Sequence, residues 1–122
     1  MERIRAVIES ADVYKISDLF RAKPGGLRFN ETDALVVEAR LDDGRRFRSV
    51  FYFSLKPDGT FEEEILGIDA AKFRRHRLVS FLKYYKITED ASEYELKNKV
   101  GELRGLNVEA VSKDGNMAIY VP

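Results

Sequence analysis

Basic and aromatic residues recur at alternate positions between residues 40 and 52, and these side chains have the clearest capacity for chemistry. Alternation of this kind places side chains on one face of a strand. Guanidinium groups hold phosphates, and arginine planes and tyrosine rings can stack on nucleobases. The residues predicted to form this surface are Arg40, Arg46, Arg48 and Tyr52. An ordinary solvent face with cross-strand charge pairs, such as Glu38 with an arginine, explains the same pattern.

A second basic surface is predicted on residues 69–87, which carry six lysines and arginines. Their spacing favours one amphipathic helix, with Asp69 as its N-cap. The apolar arc contains Ala70, Ala71, Phe73, Leu78, Phe81, Leu82, Tyr84 and Tyr85, and it also includes Arg74 and Arg77. A buried guanidinium needs a partner, so the two arginines must either be paired or reach the rim of the arc.

The polar side of this helix has two interpretations. Lys72, Arg75 and Lys83 are predicted to be auxiliary phosphate contacts, which would make binding sensitive to salt. Alternatively, the helix closes a core and its basic side is only solvated, or pairs with Glu62, Glu63 and Glu64. The same charges would let it dock an acidic partner or a second copy of the chain, so a homo-oligomer is possible.

The sequence contains few residues that could form a catalytic or metal-binding site. Cysteine is absent, and His76 is the single histidine, so no zinc site is expected. Neither Ser49 nor Ser80 has an identifiable oriented base. The carboxylates at Asp33, Glu38, Asp42 and Asp43 could hold Mg²⁺, with Arg40 where some nucleases place a lysine, but arginine does not deprotonate. Asp42-Asp43-Gly44 is better explained as a turn, so we expect a protein without catalytic residues, metal or cofactor.

Length and composition bound the class of protein. The 122 residues predict one domain spanning 1–122, and equal numbers of basic and acidic residues, 21 of each, leave no net charge. No stretch approaches the roughly 20 apolar residues of a membrane span, and the N-terminus lacks a signal peptide's apolar stretch, so we expect a cytoplasmic protein without a membrane partner. The absence of cysteine and glutamine, with 34% charged residues, suggests a thermophilic source.

Hydrophobic patterning predicts five strands and one helix. The strands are expected near residues 3–16, within 34–55 on either side of the turn at 42–44, at 106–111 and at 117–121. Residues 88–98 are polar and acidic, which indicates a loop or a short helical turn. The order of three strands, a helix and two strands predicts a five-stranded OB-like Greek-key barrel with the helix between strands 3 and 4. An α+β sandwich with the same element order is the alternative.

The second half of the chain resembles the small single-stranded-DNA-binding proteins of phages and archaeal mobile elements. The resembling stretches are Arg77 to Ile87 and Leu103 to Val111, in which a helix carrying the phrase Phe81-Leu82-Lys83 precedes a glycine-led strand. The chain departs from that group in having no tryptophan, which its stacking platforms often include. The resemblance implies an OB-fold that binds single-stranded nucleic acid.

The sequence therefore predicts non-catalytic binding of single-stranded DNA or RNA through the basic and aromatic face of strands 2 and 3. A protein–protein interaction or assembly module that uses helix 69–87 is the alternative, and a metal-dependent nuclease is the third possibility.

Overall fold

The computed structural model describes residues 2–19, 32–53, 56–60, 69–113 and 115–122. These residues form five strands, three α-helices and two 3₁₀ turns. The strands are β1 (Ile4–Lys15), β2 (Asp33–Leu41), β3 (Arg46–Phe53), β4 (Asn107–Lys113) and β5 (Asn116–Ile119). The α-helices are α1 (Ile16–Leu19), α2 (Asp69–Tyr84) and α3 (Leu96–Lys99), with 3₁₀ turns at Ala91–Glu93 and Val100–Leu103.

The five strands form an antiparallel, nearly closed barrel. Their order in the sheet is β3-β2-β1-β4-β5, and the two ends of this sheet, β3 and β5, lie next to each other. The long helix α2 follows β3 and precedes β4. This is the OB-like barrel predicted from the element order.

Strand β1 belongs to both halves of the barrel. Its first part pairs with β4, and most of its length pairs with β2. The register with β2 shifts between Ile8 and Ser10, where two residues of β1 stand opposite the single residue Glu38. Such a bulge bends and twists a strand. Because of it, Glu9 and Ser10 both lie outside the barrel, while Ile8 and Ala11 stay inside it.

One continuous core fills the barrel and the contact with α2. Phe51 and Phe53 are buried, and Phe47 packs against the same cluster. The Phe51 ring stacks on Phe81 of α2, with centroids 4.7 Å apart. Full burial of such a side chain contributes about 1.5–3 kcal/mol. From α2, Leu78, Phe81 and Leu82 are fully buried, as the arc of apolar residues predicted.

Helix α2 ends three residues earlier than predicted. The backbone N–H of Ile87 donates to the Leu82 carbonyl, and that of Lys86 donates to the Lys83 carbonyl. Lys86 adopts a positive φ of 57°. These bonds form a Schellman motif, which closes a helix through one left-handed residue. Tyr84, placed in the apolar arc by its spacing, is instead 39% exposed.

The segment after α2 contributes more to the core than its polar composition indicates. Ala91, Tyr94, Leu96 and Leu103 are buried within the same cluster as the barrel residues. The described residues contain no helix of the length and apolar character needed to cross a membrane. The acidic stretch at Glu62, Glu63 and Glu64 lies outside the described residues.

Candidate functional site

A row of three residues crosses β1, β2 and β3 on the outside of the barrel. The strand registers pair Tyr14 with Ala34, and Ala34 with Tyr52. Directly paired residues project to the same face of a sheet. Tyr14 is 41% exposed and Tyr52 is partly exposed, whereas the small Ala34 between them is buried. The two tyrosines therefore stand two strands apart, at a backbone separation of about 10 Å.

Three arginines continue this face toward the hairpin between β2 and β3. Arg48 pairs with Glu38 across the two strands, and Arg40 pairs with Arg46 one step further on. Alternation along β3 puts Arg46 and Arg48 on the same side as Tyr52. The structure therefore brings together the four residues that the sequence singled out on this hairpin, and it adds Tyr14. We call this surface the tyrosine–arginine face: Tyr14, Tyr52, Arg40, Arg46 and Arg48.

Each arginine of this face lies beside a carboxylate. Arg48 Nη2 donates to Glu38 Oε1 at 3.0 Å, and Arg46 Nε donates to Glu9 Oε1 at 2.8 Å. Arg40 Nε lies 3.9 Å from Glu9 Oε2. The three arginine side chains are more than half exposed, Glu38 is 50% exposed and Glu9 is 33% exposed, and solvent-exposed pairs of this kind contribute about 0–1 kcal/mol each. The cross-strand pairing predicted for Glu38 is thus present. These ion pairs orient the arginines only weakly.

A cavity of about 240 Å³ opens on the same face. It lies between the tyrosine row and the arginines, with Ser10, Asp12, Tyr14, Val36, Glu38 and Arg48 around it. Its walls combine an aromatic ring, an aliphatic side chain, a hydroxyl and both signs of charge. This mixture suits a flat ligand that carries hydrogen-bonding edges.

The basic residues of α2 are not brought to this face by any contact of the described residues. Lys83 is exposed in the last turn of the helix, and its neighbour Tyr84 contacts Glu109 on β4. The side chains of Lys72 and Arg75 lie outside the described part of the structure. Their assignment as phosphate contacts stays a prediction, as does that of Lys83.

Arg77, which lies in the apolar arc of α2, has hydrogen-bond partners for its guanidinium. Its Nη1 donates to the backbone carbonyl of Val50 at 3.1 Å, and Nη2 lies 3.4 Å from Ser49 Oγ. The guanidinium also stacks on the Phe51 ring, 4.2 Å from its centroid. Burial lowers the pKa of Arg77 from its usual range. This arginine therefore binds α2 to the edge strand β3, which makes its role structural.

A tyrosine cluster at the end of α2 was not foreseen as a unit. Tyr84 donates to Glu109 Oε1 at 2.7 Å, and this bond raises the pKa of Tyr84. Arg3 lies 3.6 Å from the same carboxylate and stacks over Tyr120 at 4.3 Å. The residues come from four distant parts of the chain, so spacing in the sequence gives no signal that they meet.

Tyr85 occupies a gap in the ladder between β4 and the chain end. The Tyr120 N–H donates to the Glu109 carbonyl at 2.8 Å, as in a regular antiparallel pair. In a regular pair the Glu109 N–H would also donate to the Tyr120 carbonyl. The Tyr85 hydroxyl lies between these two groups instead: it accepts from the Glu109 N–H at 3.2 Å and donates to the Tyr120 carbonyl at 2.7 Å. Burial raises the pKa of Tyr85 to about 12.

The described residues do not form the arrangements that the nuclease or nucleophilic alternatives require. Asp43 accepts from the backbone N–H and the side chain of Arg45, and the backbone bond in particular lowers the pKa of Asp43, as expected in a turn. Exposed His76 has Nε2 3.4 Å from Ser80 Oγ, but no carboxylate in the described residues orients that ring. No group of three His, Asp or Glu side chains in the described ranges is arranged to hold a metal ion.

Comparison with the models of known protein families, with curated proteins and with solved structures finds no match to this chain.

Proposed function

We propose that the tyrosine–arginine face binds single-stranded nucleic acid, DNA or RNA, without catalysis. The observation that carries this proposal is the row of Tyr14 and Tyr52 on the same outer face as Arg40, Arg46 and Arg48. Base stacking on an aromatic side chain contributes about 1–3 kcal/mol per base and tolerates any sequence. Two rings separated by a small residue offer two such platforms, and the arginines offer partners for the backbone that follows.

A single strand fits this face better than a duplex does. Bases in a duplex stack on each other, so their flat faces are closed to side chains, while a single strand exposes them. The tyrosines stand on the surface of a five-stranded sheet, whereas the major groove of a duplex admits a single helix or a two-stranded ribbon. We therefore expect strong preference for single strands, with little preference among sequences.

The carboxylates of the face limit the electrostatic part of binding. Each arginine already lies beside the carboxylate of Glu9 or Glu38, which offsets part of its charge toward a phosphate. Counterion release depends on how many phosphates are neutralised, and the carboxylates repel the strand. The dependence of affinity on salt is consequently expected to be shallower than three free arginines would produce.

The direct test is a titration of a fluorescently labelled oligonucleotide at low salt. One arm uses a single strand and the other uses the same sequence annealed to its complement. We expect the single strand to bind and the duplex to bind at least about tenfold more weakly, as the loss of stacking on the tyrosines requires. Absence of binding to the single strand, or equal affinity for both, would contradict the proposal.

A further inference from the structure

A second surface of mixed chemistry lies on the outside of the barrel where β1 pairs with β4. It is a groove of about 740 Å³, within the range of sites that hold small ligands. Strand β1, strand β4, the hairpin and the end of α2 all contribute to it. We call it the β1–β4 groove; among its lining residues are Arg5, Val7, Asp42, Tyr84, Asn107 and Glu109.

The groove contains an arginine that is not engaged in an ion pair. Arg5 is exposed, and within the described ranges its guanidinium makes no ion pair or hydrogen bond, although Glu109 is its cross-strand partner and Asp42 lines the same groove. This distinguishes it from Arg40, Arg46 and Arg48, each of which has a carboxylate beside it. A free guanidinium is well suited to a phosphate, which it can hold through two parallel hydrogen bonds.

The groove is also lined by an aromatic ring whose position is fixed, that of Tyr84. The hydroxyl of Tyr84 is held by Glu109 at 2.7 Å and is within 3.4 Å of Arg3 Nη1. Its ring makes edge contacts with Tyr85 and Tyr120. A ring held in this way loses little freedom when a base stacks on it. The exposed amide of Asn107 and the carboxylate of Asp42 can meet the hydrogen-bonding edges of a base or sugar.

The strand registers place this groove and the tyrosine–arginine face on one continuous surface. Val7 of the groove pairs with Arg40 on one side and with Asn107 on the other. Arg40 in turn pairs with Arg46. One cross-strand row therefore runs Arg46–Arg40–Val7–Asn107, and paired residues share a face. Along β1, the distance from Tyr14 to Arg5 is about 30 Å at the usual rise per residue.

We infer that the β1–β4 groove binds a second segment of the same single strand that occupies the tyrosine–arginine face. This inference rests on the proposed function. The strand stacks on Tyr14 and Tyr52, passes the arginine row, and places one phosphate on Arg5 and one base on Tyr84. Barrels of this type bind about 4–16 nucleotides, so a longer strand can reach both segments and a very short one cannot.

The experiment compares a short oligothymidylate of about five nucleotides with a long one of about fifteen, both within that range of site sizes. Affinities are measured for the wild type, Arg5→Ala, Tyr84→Ala and Tyr84→Phe. Lys97→Ala is the matched charge control, because it also removes one exposed cation but lies on α3, outside the groove. Tyr84→Phe keeps the ring and its edge contacts with Tyr85 and Tyr120, and it loses the hydroxyl's hydrogen bonds with Glu109 and Arg3. Thermal unfolding of every variant verifies that it is folded.

We expect Arg5→Ala and Tyr84→Ala each to weaken the long oligonucleotide by about fivefold to tenfold, the loss of one phosphate or stacking contact, and to leave the short one unchanged. Tyr84→Phe and Lys97→Ala should change neither affinity by more than about twofold. Unchanged binding of the long strand in the two alanine variants, or equal weakening of both strands, would overturn the inference while the proposed function stands. Failure of the wild type to bind either strand would overturn the proposed function itself.

Discussion

At the scale of single residues, Tyr85 is the side chain with the most consequential contact outside the tyrosine–arginine face. Its hydroxyl replaces one ladder bond between Glu109 and Tyr120. Replacing Tyr85 by Phe removes two part-buried hydrogen bonds, which contribute about 0.5–1.5 kcal/mol each and so about 1–3 kcal/mol together. We expect Tyr85→Phe to lower the free energy of unfolding by this amount, measured by chemical denaturation. Tyr84→Phe is the control, and an equal loss in both variants would contradict the bridging role.

The same hydroxyl predicts a dependence of stability on alkaline pH. The folded pKa of Tyr85 is about 12, above its ordinary value of 10.0. The unfolded chain therefore loses this proton first, so the folded state binds more protons between these values and stability falls as pH rises from about 10 to 12. Because Tyr84 and Tyr94 also have raised pKa values, the test compares unfolding free energies of the wild type and Tyr85→Phe across this range. A parallel decline in both proteins would remove Tyr85 as the cause.

At the scale of elements, the end of α2 contains a correctable strain. Lys86 has a φ of 57°, a conformation that costs an L-residue about 1–2 kcal/mol and glycine almost nothing. Glycine also gains entropy in the unfolded chain, which offsets part of this benefit. We expect Lys86→Gly to raise the free energy of unfolding by about 0.5–1 kcal/mol.

The matched control for this prediction is Lys83→Gly, in the last helical turn of α2. Glycine at a helical position costs about 1 kcal/mol relative to alanine, so this variant should lose stability. Thermal unfolding of the two variants beside the wild type provides the measurement. A loss of stability in both would show that Lys86 carries no strain that glycine relieves.

The sequence predicted those strands, turns and helices that are specified by a hydrophobic pattern over a few neighbouring residues. Alternation in β2 and β3, the Asp-Gly turn between them and the buried face of α2 were all readable, because strand and helix periods act over a few residues. The partners of the arginines were only partly readable. Glu38 was recognisable as an opposite neighbour of β3, but Glu9 meets Arg46 from 37 residues away, through a bulge that no periodicity marks.

The buried residues of the 88–98 segment were missed for a related reason. Ala91, Tyr94 and Leu96 lie among acidic and polar neighbours, and their contacts with the barrel depend on how α3 docks. There the Lys97 N–H donates to the Gly59 carbonyl at 3.3 Å. The local composition indicated a loop or a short helical turn, and short helical turns are present, but the burial of their apolar residues depends on tertiary packing.

At the scale of the whole molecule, a neutral chain arranges its charges so that basic groups alternate with acidic ones on the surface proposed to bind. This predicts that removing a carboxylate strengthens binding. Glu38→Gln frees Arg48 and abolishes the repulsion of a nearby phosphate, so we expect affinity for a single strand to rise by about threefold to tenfold at low salt. The slope of affinity against salt should become steeper at the same time.

A matched control for this change is Glu102→Gln, which removes an exposed carboxylate from the 3₁₀ turn at Val100–Leu103. It alters net charge equally and should leave affinity within about twofold of the wild type. If both glutamine variants strengthen binding by the same factor, general charge rather than the tyrosine–arginine face governs the interaction.

The measurement that tests the central claim most directly is the affinity of the wild type, Tyr52→Phe and Tyr52→Ala for one short single-stranded oligonucleotide. Stacking needs the ring but not the hydroxyl, so the phenylalanine variant should bind within about twofold of the wild type. The alanine variant should bind about tenfold or more weakly, as the loss of one stacked base requires. Equal affinity in all three proteins, or no binding by the wild type at low salt, would contradict the account.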